Sequence, residues 1–260
     1  MTYRNGKDVS FTDLVDIMMT LRGEEGCPWD KEQTHESIKK YLVEETYEVL
    51  DAIDEKDMYK LCEELGDLLL QITFHARMAE ENGHFNINDV IKGIVDKMIR
   101  RHPHVFGSED LETSEQVLVK WEEIKDEERD QPRPVLDVPK NFPALYRAEK
   151  LQQKAARVGF DWPDIQGAWD KVSEELGELR EAEGTGVGIK EELGDLLFAV
   201  VNAARFLGVD AEEALQDANR KFIQRFSYIE SQAKAQKVPL QELSLEEMDQ
   251  YWNQAKKINK

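Results

Sequence analysis

The chain has 260 residues, 40% of them apolar and 34% charged, with a formal net charge of −20. This length suits two domains, and the apolar share can support a core, so a disordered chain is excluded. The acidic balance excludes a reader of duplex nucleic acid, which needs clustered Lys and Arg, and no stretch approaches the ~20 apolar residues of a membrane helix.

Residues 1–10 contain no apolar secretory core, so a cytoplasmic location is the expectation. Cys27 and Cys62 are the only cysteines; they form neither a disulfide scaffold nor a CxxC zinc motif and read as free thiols.

Apolar residues recur every three or four positions, as in Ile38, Leu42, Val49, Ile53 and again in Ile189, Leu193, Leu196, Val200. The pattern predicts helices near 11–22, 34–54, 57–82, 87–101 and 114–129, then near 143–156, 166–183, 188–207, 210–236 and 245–258. Thr113 with Gln116 and Ser244 with Glu247 read as capping boxes at two helix starts. No alternating strand pattern is present, so the fold class is all-α.

Four of the eight prolines, Pro132, Pro134, Pro139 and Pro143, crowd one segment without apolar periodicity. The expected organisation is a first domain over 1–129, a linker over 130–143 and a second domain over 144–260. Residues 1–129 carry 16 Lys and Arg against 31 Asp and Glu, a net −15, whereas residues 130–260 carry 18 against 23, a net −5. The second half repels an anion far less.

The sequence EELGDLL occurs at 63–69 and again at 191–197. Its surroundings repeat too: Trp29 with Trp162, Glu45 and Glu48 with Glu175 and Glu178, Lys97 and Arg101 with Lys221 and Arg225, Trp121 and Lys125 with Trp252 and Lys256. The two domains are therefore read as a duplication.

The repeated carboxylates carry the chemistry. Glu175 follows Val172 by three residues and precedes Leu179 by four, and Glu192 stands likewise between Ile189 and Leu196, so both are expected on an inward face. Glu45 and Glu64 repeat the arrangement. A buried carboxylate must be paired or hold a metal. Glu175 with Glu178, and Glu192 with Asp195, form i, i+3 pairs able to face each other across a helical hairpin; Glu45, Glu48, Glu64 and Asp67 offer a second such set. Oxygen donors without Cys or His select Mg²⁺, or Mn²⁺, over zinc. All five histidines lie in the first half, and the HPH run at 102–104 lacks helical ligand spacing and reads as a turn.

The pattern EExxE followed by ExxD, present at Glu44, Glu45, Glu48, Glu64 and Asp67 and again at Glu174, Glu175, Glu178, Glu192 and Asp195, resembles the all-α nucleoside triphosphate pyrophosphohydrolases. CPWDKEQT at 27–34, EETYEVLDAI at 44–53, RRHPHVF at 100–106 and VGFDW at 158–162 are similar to the two-domain MazG branch of that family over nearly the whole chain. The resemblance implies Mg-dependent hydrolysis of nucleoside triphosphates to the monophosphate and pyrophosphate by a homodimer whose subunits complete the helical bundles. It implies that Glu175, Glu178, Glu192 and Asp195 hold the metal, and that Lys171, Glu191, Lys221, Arg225, Trp252 and Lys256 hold the nucleotide. The metal would neutralise the triphosphate and activate a water, and a carboxylate would take its proton.

The residues themselves agree: Lys221 with Arg225 and Trp252 with Lys256 are four apart and share helical faces, where cations can meet phosphates and the indole can stack on a base. A packed Trp252 and a solvated basic face are the competing reading. One correspondence fails, since Tyr41 stands where the second half has Lys171, with Lys40 beside it. The first site is thus the expected weaker catalyst. GTGVG at 184–188 lacks a preceding strand and reads as a hairpin loop rather than a phosphate loop. Two alternatives stand beside the main reading: a narrow nucleotide hydrolase of the dUTP or phosphoribosyl-ATP type, and a non-catalytic acidic helical protein that binds a basic partner.

Overall fold

The computed structural model describes residues 9–128 and 134–258, and the chain divides into two compact units, Met1–Asp130 and Gln131–Lys260. Among the described residues all regular structure is helical. The stretch 129–133, which includes the end of one expected helix and the start of the expected linker, lies outside the described residues.

In the first unit, α1 (Phe11–Leu21), the short α2 (Pro28–Glu32), α3 (His35–Glu55) and α4 (Met58–Glu81) precede α5 (Ile87–Arg101), the short α6 (Pro103–Phe106) and α7 (Ser114–Glu127). The long pair α3 and α4 forms an antiparallel hairpin because its joint is capped on both sides. Lys56 ends α3 in the left-handed region at φ 57°, and the Asp57 carboxylate then accepts the N–H groups of Tyr59 and Lys60 to start α4. Ala52, fully buried, gives the two helices a small contact side chain near that joint. Met18 of α1, Ile38 of α3 and Phe74 and Met78 of α4 form the core, with Tyr41 and Leu70 packed on it. Each large side chain so buried contributes about 1.5–3 kcal/mol of hydrophobic stabilisation.

Pro103 and His104 of the HPH run are helical rather than in a turn, with His102 at the N-cap. Pro103 occupies the first position of α6, where its missing N–H costs nothing, and the His102 carbonyl accepts from Val105 and Phe106. His102 packs edge-on against Trp121 at 4.9 Å, which gives the ring a structural role. Thr113 and Ser244 cap as expected: Gln116 Oε1 accepts from the Thr113 N–H and Glu247 Oε2 from the Ser244 N–H.

The second unit contains α8 (Ala144–Arg157), α9 (Ile165–Thr185), α10 (Ile189–Phe206), α11 (Ala211–Gln236), a 3₁₀ turn (Leu240–Glu242) and α12 (Leu245–Ile258). Residues 134–143 lie within this unit, where Val138 is buried. The hairpin of α9 and α10 repeats that of α3 and α4. Gly184 and Thr185 still belong to α9, so the expected GTGVG loop shrinks to three residues, with Gly186 and Gly188 at φ 73° and 82° supplying the left-handed positions. Helices α11 and α12 close on a separate cluster of Ile229, Ala233 and Leu243.

Both hairpins leave an apolar face uncovered: Val43, Leu50, Leu65 and Leu69 in the first unit and Leu176, Leu193, Leu197 and Val200 in the second are all exposed. No helix among the described residues is long and apolar enough to cross a membrane.

Candidate active site

Helix periodicity and the hairpin together bring the second set of carboxylates to one place. Oxygens of Glu175, Glu192 and Asp195 lie within 4.8 Å of one another, and so do those of Glu174, Glu175 and Glu178, so Glu175 belongs to both groups. It is also the one member that is buried, at 4% exposure; Glu192 is half-buried, and Glu178 and Asp195 are exposed. The expected inward face is therefore inward only at Glu175. The helical period cannot distinguish a core face from the uncovered apolar residues of the same hairpin, such as Leu176 and Leu193.

The two oxygens of Glu175 differ. Lys171, one turn earlier, places Nζ 2.5 Å from Oε1, while Oε2 is buried with no hydrogen-bond partner. The same ammonium is 2.9 Å from Glu174, and these two carboxylates, Glu175 first, hold its pKa above the ordinary lysine value. Glu178 is pushed up from the usual carboxylate range by desolvation and then by the charges of Glu175 and Glu192, with Lys171 opposing. An unpartnered buried carboxylate oxygen amid crowded oxygen donors fits a hard divalent cation such as Mg²⁺ or Mn²⁺.

Against this cluster lies a cavity of about 550 Å³, within the usual range for small-molecule clefts. Lys171, Glu175 and Asp195 line one part of it, and Trp162, Phe198 and Ala168 supply apolar wall. Trp162 lies against the start of α9 because residue 167 is Gly; a Cβ there would stand 2.7 Å from the indole.

In the first unit, oxygens of Glu45, Glu48 and Glu64 cluster within 4.8 Å. Asp67 is not part of that trio but acts on it electrostatically: burial first, then Asp67 and Glu48, raise the pKa of Glu45, and burial, Glu48 and Asp67 raise that of Glu64. Among the described residues, no ammonium lies on Glu45 as Lys171 lies on Glu175. Tyr41 occupies that position and packs on the core, and Lys40 sets its ammonium 4.5 Å from the centre of the Tyr41 ring.

The remaining expected residues stand apart from the cavity wall. Glu191 is exposed in the first turn of α10. Lys221 is exposed on α11; Arg225 sits over the Trp252 ring at 5.4 Å, and Trp252 also meets Phe222 at 5.2 Å while packing on the α11–α12 cluster. Lys256 reaches Asn253 at 3.2 Å. Within one chain, α11 and α12 thus hold Arg225 and Trp252 together without adding either to the cavity wall.

Two polar cavity residues are invisible to a search for charged motifs: Gln152 and Asn202 line it from α8 and α10. The signal was in the repeat: five residues beyond EELGDLL the first unit has Phe74 and the second has Asn202.

A duplicated all-α hairpin thus crowds ExxE and ExxD carboxylates beside a cleft, the arrangement of an acid-rich helical site suited to a divalent cation. Residues 33–106 and 166–229 each match the MazG nucleotide pyrophosphohydrolase domain. The chain is 47% identical over 250 residues to a nucleoside triphosphate pyrophosphohydrolase/pyrophosphatase MazG of Thermotoga maritima, covering 95% of this chain and 96% of that one. It is 49% identical over 252 residues to a nucleoside triphosphate pyrophosphohydrolase of Escherichia coli K12, covering 94% and 96%. A longer Bacillus subtilis protein, YabN, is 50% identical over 96% of this chain but only 52% of its own length. The chain belongs to the MazG nucleotide pyrophosphohydrolase family, and it is an enzyme of the hydrolase class.

Proposed function

We propose that the chain hydrolyses nucleoside triphosphates between the α and β phosphates, releasing the monophosphate and pyrophosphate, with Mg²⁺ (or Mn²⁺) as cofactor and the second unit as the principal site. The observation that carries this reading is Glu175: buried, bound by Lys171 through one oxygen, and unpartnered at the other beside Glu178, Glu192 and Asp195. Named relatives with nucleoside triphosphate pyrophosphohydrolase activity over almost the same length support the substrate class.

Glu175, Glu178, Glu192 and Asp195 would hold the cation, which supplies positive charge to the phosphate oxygens and acidifies nearby water. Lys171 fixes one oxygen of Glu175, leaving the other for the ligand. A carboxylate of the cluster takes the proton of the attacking water, and the leaving pyrophosphate carries its charge toward basic residues. Lys221, Arg225 and Lys256 are proposed for that role, and Trp252 for stacking on the base. We assign their delivery to a homodimer, supported by the exposed Leu176, Leu193, Leu197 and Val200 on the same hairpin. A cytoplasmic location fits such a substrate.

The test is product analysis. Purified protein with each of the common nucleoside triphosphates and Mg²⁺ should give pyrophosphate and the monophosphate, and Glu175→Gln should abolish release. Orthophosphate with the diphosphate as product would reject the proposed cleavage.

A further inference from the structure

The repeat extends past the carboxylates to the basic residues, and there the two units part. Arg101 of α5 and Arg225 of α11 close the two Lys-xxx-Arg pairs, and Trp121 of α7 and Trp252 of α12 open the two Trp-xxx-Lys pairs. In both units the guanidinium lies over the indole, Arg101 at 5.6 Å from the centre of the Trp121 ring and Arg225 at 5.4 Å from that of Trp252. Ile124 and Ala255, three residues beyond each Trp, are both buried. The duplication therefore holds in three dimensions as well as in sequence, and each position of α7 has a counterpart in α12.

The partners of the cations differ. In the first unit Arg101 places Nη2 2.5 Å and Nε 3.1 Å from Glu128 Oε2, and Arg100 places Nε 2.6 Å from Glu128 Oε1. Lys125 donates to Glu122 at 3.2 Å. In the second unit Lys256 donates instead to Asn253, the counterpart of Glu122, also at 3.2 Å. The counterpart of Glu128 is Asn259, which lies outside the described residues. Among the described residues, no carboxylate pairs with Arg225 or Lys256. Two acids of the first unit are thus amides in the second, and each acid sits on a cation that the repeat preserves.

A carboxylate gripped by guanidinium N–H groups makes the charge-assisted bonds that a phosphate oxygen would make. Hydrogen bonds from Arg101, and then from Arg100, hold the Glu128 carboxyl at about 2, so at neutral pH it is a fixed anion. The Arg101 and Glu128 side chains are 14% and 18% exposed, so water screens this pair less than an open surface pair. Residues of α5, α6 and α7 line an open cleft of about 590 Å³ beside it, where Glu109 lies 3.0 Å from Lys120. The cleft is large enough for a diphosphate, but each cation on its wall, Arg100 and Lys120, already faces an acid of the same unit.

We propose that the first unit carries a latent polyphosphate site at Arg100, Arg101 and Lys125, occupied by Glu128 and Glu122 as internal anions, whereas amides at the same positions leave the cations of the second unit to the ligand. The two acids are specificity-determining residues that decide which unit of the duplication receives a phosphate chain. This rests on the proposed assignment of Arg225 and Lys256 to the leaving pyrophosphate, and it traces the unequal binding of anions by the two units to two side chains.

The experiment titrates the full chain with inorganic pyrophosphate by calorimetry in EDTA, so that neither metal nor hydrolysis contributes. Every variant carries Arg225→Gln, which weakens the second unit's site and serves as the reference. Adding Glu122→Asn with Glu128→Asn, which copies the second unit, should tighten pyrophosphate binding at least fivefold at unchanged helical content. Glu122→Gln with Glu128→Gln, which keeps the side-chain length, should do the same. Arg101→Gln on top of either pair should cancel the gain. A gain below fivefold in both pairs, or one that survives Arg101→Gln, would overturn the proposal. If Arg225→Gln alone leaves pyrophosphate affinity as in wild type, Arg225 loses its proposed phosphate role, while a gain cancelled by Arg101→Gln upholds the site in the first unit.

Discussion

Lys171 and Glu175 stand one helical turn apart on α9 and meet at 2.5 Å, with the partner oxygen of the carboxylate sealed from solvent and unpaired. The relationship ties one oxygen of the buried acid to a single lysine. Lys171→Met should leave Glu175 without its ammonium partner, lower the urea midpoint, and lower kcat about 10²-fold through loss of the group that fixes the carboxylate. Urea denaturation and steady-state kinetics check the two effects separately; an Arg at 171 should restore part of both.

Metal removal should be decisive. The clustered donors are all oxygens, so exhaustive EDTA treatment should abolish turnover, and Mg²⁺ or Mn²⁺ should restore it. Cation saturation should also raise Tm, since ligand binding to the folded state stabilises by about 2.7 kcal/mol at a hundred times Kd. In Glu175→Gln the Tm rise should shrink.

His35 and His75 bring their Nδ1 atoms to 2.7 Å with rings stacked at 5.0 Å, so the pair is built to share one proton. Burial first, and the His35 charge second, hold the His75 pKa below its ordinary 6.5. The unfolded chain therefore binds a proton here before the folded one does. The stabilisation is full above pH 6.5 and is lost as pH falls below it toward the folded pKa. Thermal unfolding between pH 7.5 and 5.5 should show this slope, and His75→Ala, which places the residue found at Ala203 of the repeat, should flatten it.

Lys56 and Gly186 end the first helix of each hairpin in the same left-handed conformation, at φ 57° and 73°. Lysine pays a steric cost there that glycine does not. Lys56→Gly should raise stability by about 0.5–1 kcal/mol, read as a higher urea midpoint at unchanged slope; an unchanged or lower midpoint would show that the Lys56 side chain compensates.

The hairpins were legible because EELGDLL occurs twice and because caps such as Thr113 with Gln116 announce their helices. Helix α6 was not, since four residues starting at Pro103 are too few to show periodicity. The amphipathic pattern correctly paired Glu175 with Glu192 and put Glu175 inward, but overstated the burial of Glu192, because an uncovered apolar face and a core face obey the same period. Gln152 was hidden for another reason. Its importance lies in the Phe198 carbonyl that orients it, a partner 46 residues away that no local spacing announces.

The central claim is that the second unit performs the hydrolysis. Its most direct test is pyrophosphate release from nucleoside triphosphates with Mg²⁺ by four variants, Glu192→Ala, Asp195→Ala, Glu64→Ala and Asp67→Ala, at matched helical content and oligomeric state. Both pairs sit in the same repeated heptad, so general damage is controlled. The account predicts near-complete loss for Glu192→Ala and Asp195→Ala and most activity retained for Glu64→Ala and Asp67→Ala. Equal losses in the two pairs would contradict it.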